Sequence, residues 1–368
     1  MSKKAGLYQS VTLAQATKFI NAVGHKITTL VEGEVGIGKS SILWAFKELR
    51  PTYKLYYVEM TTKDIGDLMV PKIHTLDDNG TAVDVTRFVT SEELGMHLQN
   101  ERCVIMLDEI GKTKGAVQNA CLRWLHERKL GIYSMHPESI LFATTNLSVE
   151  GVGDKMPIHM RNRITTLRVT KPSADEWVDN YAIPNNLEPV VIAMVKEFPQ
   201  MLASFEEYEK PEQNVYINDP RTVRAAFVTP RSLEKASHIY ASMKALGDMP
   251  LLAHALAGTI GEPAMNEMLT IINLDMKMPS WDEIVEDPVG TPAPGNAAAA
   301  CLTVCKAVQR VSKDNLPAWM AYMEKMQKEA QGLFARSVMS PRCTHRDWLS
   351  TNGVFSKWVH TNHYLFVK

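Results

Sequence analysis

Cysteine is scarce in this 368-residue chain: five residues, an odd number, scattered at Cys103, Cys121, Cys301, Cys305 and Cys343. A disulfide framework is not expected from so few, so widely spaced thiols. Long apolar runs are missing too, since no stretch approaches the about 18 uninterrupted apolar residues of a membrane-spanning helix. The opening MSKKAGLYQS is basic but lacks the apolar centre of a secretory leader. Together these absences predict a cytoplasmic protein with no membrane among its partners. Nor is there an excess of charge of either sign, because 40 Lys and Arg stand against 41 Asp and Glu, a net charge of −1. That balance argues against a basic nucleic-acid coat and an acidic solvating tail, and leaves a local basic groove open.

What the chain does have is ordinary for a well-cored protein: 45% hydrophobic and 22% charged residues. At about 150 residues per domain, two or three structural units are expected. From about Val11 to Thr170, helical patterns alternate with short β-rich runs at Ile27–Val31, Leu55–Met60, Cys103–Leu107, Ile140–Thr144 and Ile164–Val169. The helical patterns are clearest at Val11–Val23 and Lys114–Arg128. Strands separated by helices imply parallel pairing, because a parallel crossover needs about a dozen residues. After Thr170 the strand signals fade. Ser173 and Glu176 have the spacing of a capping box, and helices are predicted at Glu188–Glu197, Ser232–Leu246, Leu251–Gly258, Met265–Leu274, Ala297–Val311 and Asn315–Gln331. The proline- and glycine-rich stretch Asp287–Asn296 reads as a linker. The predicted division is an α/β core at 1–170, an all-helical segment at 171–275, and a linker with a helical C-terminal extension at 276–368.

Gly33-Glu34-Val35-Gly36-Ile37-Gly38-Lys39-Ser40 fits G-x-x-x-x-G-K-[ST] in full. Glycines allow backbone N–H groups to turn inward around phosphates at a helix N-terminus. Lys39 adds charge on the phosphoryl oxygens, and the Ser40 hydroxyl is a Mg²⁺ ligand. The strand before the motif and the apolar helix after it are the context that the motif requires, against the alternative of a chance glycine-rich turn. With Ser41, these residues form the expected binding set for ATP.

Cys103-Val-Ile-Met-Leu-Asp108-Glu109 is an apolar run ending in two carboxylates. A buried central strand ends in this way, with its acids beside the phosphate loop. Asp108 is expected to orient Mg²⁺, and Glu109 to polarise water for in-line attack on the γ-phosphate. Without the phosphate loop, solvated acids capping a strand would be the better reading. Leu141-Phe-Ala-Thr-Thr-Asn146 is a second apolar strand ending in polar groups, and Asn146 is placed to hold the lytic water or touch the γ-phosphate. Arg161 and Arg163 precede the last strand, where an arginine at a subunit edge can reach a neighbour's γ-phosphate. The alternative is a surface arginine paired with an acid. Thr229-Pro-Arg231-Ser puts an arginine in the first turn of a helix in the second unit.

GEVGIGKS, VIMLDEI followed by VQNACLRWLHERKLG, FATTN, the Arg163 region and TPRSLEKAS with ALAGTIGE resemble the AAA+ ATPases, and specifically their MoxR-type branch. The likeness spans about Val11 to Leu274. It implies a P-loop NTPase core with an all-helical lid, and Mg²⁺-dependent hydrolysis of ATP by a homo-hexameric ring that remodels a protein partner. It further implies Lys39 and Ser40 as Walker A residues, Asp108 and Glu109 as Walker B, and Asn146 as sensor 1. Arg163 becomes the trans-acting finger, with Arg161 a second candidate, and Arg231 becomes sensor 2. The branch commonly works with a protein bearing a von Willebrand factor A domain. The chain departs from the branch after Asp108-Glu109-Ile110, where a frequent Asn is replaced by Gly111, followed by Lys112.

Two hairpins are predicted inside the core. In the stretch 70–88, alternating β-formers flank Asn79-Gly80, the strongest short-range hairpin signal. The stretch 129–138 fits a second hairpin, with Tyr133 and Met135 near its tip. The first matches in position the helix 2 insertion of the branch, which faces the ring pore or the substrate. Cys301 and Cys305, one helical turn apart, fit helix packing better than a metal site. The tail 341–368 mixes Arg342, Arg346, Lys357 and Lys368 with Trp348, Phe355, Trp358, Tyr364 and Phe366. Such a mixture suits docking onto protein, or else stacking on single-stranded nucleic acid. The second option is the basis of an alternative function, a DNA-associated motor or helicase loader.

Overall fold

The five short apolar runs become one parallel sheet in the computed structural model, which describes residues 10–147, 157–206, 210–221, 224–340 and 343–366. Two units divide the chain, Met1–Lys171 and Pro172–Lys368. In the first, α1 (Leu13–Val23) leads to β1 (Thr29–Glu32), α2 (Ser41–Leu49), β2 (Lys54–Glu59) and the short α3 (Ile65–Leu68). A hairpin of β3 (Val70–Asp78) and β4 (Thr81–Val89) follows, then β5 (Cys103–Asp108), α4 (Gly115–Ala120) and α5 (Leu122–Glu127). The unit ends with the small hairpin β6 (Lys129–Leu130) and β7 (Tyr133–Ser134), then β8 (Ile140–Thr145), α6 (Ile158–Arg161) and β9 (Thr165–Arg168).

The sheet order is β2-β5-β8-β1-β9, with every neighbouring pair parallel. Its central strands are buried on both faces, as parallel strands covered by helices must be. Period-2 alternation splits their side chains between two cores. Val104, Met106, Ile140, Phe142 and Val31 pack with Ile20 of α1 and Leu43 and Phe46 of α2. On the other face, Ile105, Leu107, Leu141, Ala143 and Leu30 pack with Val117 of α4 and Trp124 and Leu125 of α5. The helix expected at Lys114–Arg128 is two helices, with a break at Cys121 and with Arg128 in the left-handed region at φ 60°.

The first hairpin forms with Asn79 and Gly80 at its turn, with φ values of 54° and 85°. These signs match a type I′ turn, whose twist suits two antiparallel strands. All nine residues of β3 are exposed. The second hairpin has Gly131-Ile132 at its tip, not Tyr133 and Met135; Tyr133 lies within β7, and Met135 is buried against the α4–α5 side of the sheet. Ile132 N–H donates to Phe88 O at 3.0 Å, tying the two hairpins together.

The second unit has helices and, among its described residues, no strand: α7 (Ala174–Trp177), α8 (Pro189–Glu197), α9 (Pro230–Met243), α10 (Met249–Ile260), α11 (Glu262–Asp275), α12 (Trp281–Glu286), α13 (Ala297–Arg310), α14 (Leu316–Met323), α15 (Lys328–Val338), α16 (Arg346–Ser350) and α17 (Gly353–Thr361). The predicted capping box at α7 forms, with Ser173 and Glu176 each bonding the other's backbone N–H. One hydrophobic core runs from Ala174 to Trp358, through helices of both the 171–275 and the 276–368 ranges. Aromatic side chains thread it: Trp281 and Trp319 have ring centroids 5.7 Å apart, Trp319 and Phe334 5.2 Å, and Phe334 and Phe355 6.2 Å. Phe355 and Trp358 of the tail are buried there, so their faces are taken up by protein contacts. Arg342 and Lys368, counted above in the basic tail, lie outside the described residues. Cys301 and Cys305 are both buried on α13.

The single helix expected at Asn315–Gln331 is two, α14 and α15, and Gln331 explains the break. Its side chain is 1% exposed, and its Nε2 donates to Met326 O at 2.9 Å and Glu324 O at 3.4 Å, carbonyls that the break leaves without helical partners. Replacing Gln331 by Leu keeps the volume and removes both donors. That variant should lose about 1–3 kcal/mol, the cost of buried carbonyls left unpaired, read as a lower urea midpoint for the second unit. An unchanged midpoint would show that the break is held by other contacts.

Candidate functional site

Residues 33–40 join β1 to α2 at the carboxyl end of the sheet. Gly36 and Gly38 have φ of 72° and 98°, values that residues with a Cβ adopt only at a cost. Turns of this kind aim successive N–H groups at a common centre, an anion cradle. The Ile37 side chain is 2% exposed and packs with Val31, Ile42 and Phe46. Ile37 therefore offers a ligand only its backbone, while its side chain anchors the loop. Glu34 is buried, and Val35 and Ser41 are half-buried.

Lys39 is 6% exposed. Its Nζ donates to Gly33 O and Glu34 O at 2.9 Å each and to Asn146 Oδ1 at 2.6 Å. A buried ammonium needs such partners, and all three are oxygens that an incoming phosphate can replace. Ser40 precedes α2 without capping it by its side chain, which leaves that hydroxyl for a ligand. It and the Asp108 carboxylate are hard oxygen donors of the kind Mg²⁺ takes.

The acids stand where β5 ends. Leu107 lies opposite Ala143, which sets Asp108 beside Thr144. The Thr144 hydroxyl donates to Asp108 Oδ1, and Tyr57 OH donates to Oδ2 at 2.6 Å. Thr144 Oγ1 also accepts from Glu109 N–H at 3.3 Å. Glu109 has φ 57°, a left-handed conformation costing about 1 kcal/mol for a residue with a Cβ. The strain turns its carboxylate to Asn146, whose backbone N–H donates to Oε2 at 3.3 Å. Lys112 Nζ lies 3.4 Å from the same oxygen. Asn146 thus touches Lys39 through its side chain and Glu109 through its backbone.

Gly111 has a packing reason. A Cβ there would meet Thr145 Oγ1 at 2.3 Å, so a larger residue would push the 3-10 turn Ile110–Lys112 off the end of β8. Arg161 and Arg163 are exposed just before β9. Thr165 pairs with Thr29 at the start of β1, so these arginines lie at the amino end of the strands, opposite the carboxyl end that carries the phosphate loop. The separation is roughly 15–20 Å of strand at about 3.3 Å per residue. Arg231 is exposed in the first turn of α9, behind the Thr229–Ser232 capping box.

The core therefore brings together Lys39, Asp108, Glu109 and Asn146, and sets Arg161 and Arg163 apart from them. Sequence reasoning missed Tyr57, Thr144 and Lys112. The one available signal was the paired threonines in FATTN, whose direction depends on strand register.

Thr144→Val removes both hydroxyl bonds and keeps the shape. Nucleotide turnover should fall at least about tenfold, in line with roughly 1–3 kcal/mol of lost support for the acids, and Thr144→Ser should restore most of it. Phosphate release measured beside thermal unfolding checks this. A valine variant with normal turnover would remove Thr144 from the site.

Residues 28–147 match the model of the AAA domain (dynein-related subfamily). No curated protein sequence matches the chain. Among solved structures, it is similar to two variants of RuvB from Thermotoga maritima, both 14% identical, with TM-scores of 0.38 and 0.36. These alignments cover 83% and 85% of this chain and 85% of each of those. It is also similar to a candidate ATPase from Cytophaga hutchinsonii, 12% identical with a TM-score of 0.32, over 68% of this chain and 81% of that one. The matched segment runs from the start of β1 through the phosphate loop, both acids and Asn146, so the likeness to an AAA domain lies in the stretch that carries these residues, and ATPase activity is the function that it supports.

Proposed function

We propose that the chain is a Mg²⁺-dependent AAA+ ATPase of the MoxR-type branch, working as a homo-hexameric ring that remodels a protein partner. One observation carries the assembly: Arg163 precedes β9 at the amino end of the strands, whereas its own phosphate loop follows β1 at their carboxyl end. A side chain cannot span that distance within its own core, whereas an exposed arginine can serve the site of an adjoining copy. The same placement holds for Arg161.

In this reading the loop N–H groups and Lys39 bind the phosphates, with Lys39 exchanging Asn146 and two carbonyls for phosphoryl oxygens. Ser40 and Asp108 would hold Mg²⁺, which when bound neutralises charge on those oxygens. Glu109 accepts the proton of the attacking water, and Asn146 fixes that carboxylate while reporting the position of Lys39. Arg163 of a neighbouring copy stabilises charge on the transferred group. Arg231 keeps the sensor 2 role that the resemblance implies.

Protein remodelling is supported by the hairpins. Ile73, Val70 and Phe88 of the first are 75%, 52% and 47% exposed, and Ile132 at the tip of the second is 47% exposed. A two-stranded ribbon with apolar groups on both faces gains from being covered. A groove of about 330 Å³ between the hairpins is lined by Met69, Phe88, Leu130 and Ile132 with the cations Arg87, Arg123 and Lys129, which suits an acidic segment with an apolar anchor. The partner class implied by the resemblance is a protein with a von Willebrand factor A domain. Among the described residues, no helix is long and apolar enough to cross a membrane.

Glu109→Gln should retain ATP and abolish turnover, and the ATP-loaded variant should retain the partner in a pull-down. Arg163→Ala should bind ATP within about twofold of wild type yet lose at least about a hundredfold in turnover of the assembled protein. Calorimetry and phosphate release check the pair. Full turnover by Arg163→Ala would move the finger elsewhere, and unchanged phosphate release by Glu109→Gln would refute the general base.

A further inference from the structure

Lys112 follows the position at which this chain departs from its branch, and its surroundings are unusually well defined for a charged loop residue. Four hydrogen bonds hold the 3-10 turn that carries it. Lys112 N–H donates to Glu109 O at 2.9 Å, Thr113 Oγ1 donates to Ile110 O at 2.8 Å, and the buried Gln118 donates from Nε2 to Thr113 O at 3.1 Å and Ile110 O at 3.3 Å. Gly111 lets this turn lie against Thr145 at the end of β8. The Lys112 ammonium then meets Glu109 Oε2 at 3.4 Å, and Glu109 is its one acidic partner among the described residues.

Exposed ion pairs three residues apart usually stabilise little. This one differs because the Glu109 side chain is only 19% exposed, its backbone is strained, and Oε2 already accepts from Asn146 N–H. One hydrogen bond and one ammonium ion pair converge on one carboxylate oxygen, and among the described residues no protein group bonds the other. A carboxylate held by one oxygen has its second oxygen directed, which is what a base needs in order to meet one water in one orientation.

We infer that Lys112 is a positioning residue for hydrolysis: with Asn146 N–H it pins Oε2 of Glu109, so that Oε1 is presented to the attacking water. This rests on the reading of Glu109 as general base. The role belongs to the folded turn, since Gln118 and Gly111 place the lysine and the left-handed Glu109 receives it. Lys112 acts through Glu109, so its loss should act on turnover and leave ATP affinity alone.

The test uses the full chain and three variants, Lys112→Met, Lys112→Arg and Glu109→Gln, with Mg²⁺ and ATP as the probe. Lys112→Met should lower kcat about ten- to a hundredfold, the range expected for a misdirected base, with the ATP dissociation constant within about twofold of wild type. Lys112→Arg, which restores a cation at that reach, should recover most of kcat. The residual single-turnover rate of Glu109→Gln should be the same with and without Lys112→Met, because the group that the lysine orients is gone. Wild-type or raised kcat in Lys112→Met would overturn the proposal, as would equal loss of ATP binding, no recovery with arginine, or an additive loss in the double variant. A Glu109→Gln protein that turns over normally would instead defeat the general-base reading and the role of Lys112 with it. An inactive Glu109→Gln beside a fully active Lys112→Met would defeat the Lys112 role alone.

Discussion

The Thr144 hydroxyl donates to Asp108 and accepts from the backbone N–H of Glu109, and the acidic pair is arranged around that one group. It stands where it does because β5 and β8 pair with Leu107 opposite Ala143. A shift of the pairing by one residue would carry every side chain of β8 to the other face. Thr144 would leave the acids, and Asn146 would leave both Lys39 and Glu109. The two central strands are apolar on both faces, and their packing against the helices on either side sets that register. Hydrophobic burial thereby determines the geometry of a polar site.

Polar groups gathered at the end of a buried sheet carry a desolvation cost that is offset only if each is bonded. Here the offsets are shared. Lys39 uses two loop carbonyls and Asn146, Asn146 serves Lys39 and Glu109, and Glu109 uses Asn146 and Lys112. The left-handed backbone of Glu109 adds strain, which the surrounding bonds sustain. Such a network has few low-energy rearrangements. On the proposed reading, a phosphate drawing Lys39 away from Asn146 would act on the residue that also bonds Glu109, which would couple binding to chemistry through that asparagine.

The second unit obeys a different constraint. Its helices share one apolar core from Ala174 to Trp358, threaded by aromatic rings, and the C-terminal helices contribute Phe355 and Trp358 to it. The exposed β3–β4 hairpin is the opposite case, a ribbon with apolar groups in solvent and no core of its own. Apolar surface is thus buried in the helices and left in solvent along the hairpin.

Local signals settled a good deal in advance. The five strands, the parallel sheet, the phosphate loop and the Asn79-Gly80 turn all follow from spacing and turn chemistry within a few residues, where near neighbours dominate the energy. The chemical types at the site were legible for the same reason, since G-x-x-x-x-G-K-S and Asp108-Glu109 are contiguous. The breaks at Cys121 and between α14 and α15 were not, because the second depends on Gln331 reaching back to carbonyls five and seven residues away. Nor were the roles of Tyr57, Thr144 and Lys112. Hydroxyls and a lysine of that kind occur throughout the chain, and what makes these three matter is strand register, a left-handed glutamate and a glycine pressed against Thr145. Composition and short motifs specify which groups are available. Long-range packing selects which of them meet, because register and approach distance are properties of the folded sheet and of no single segment.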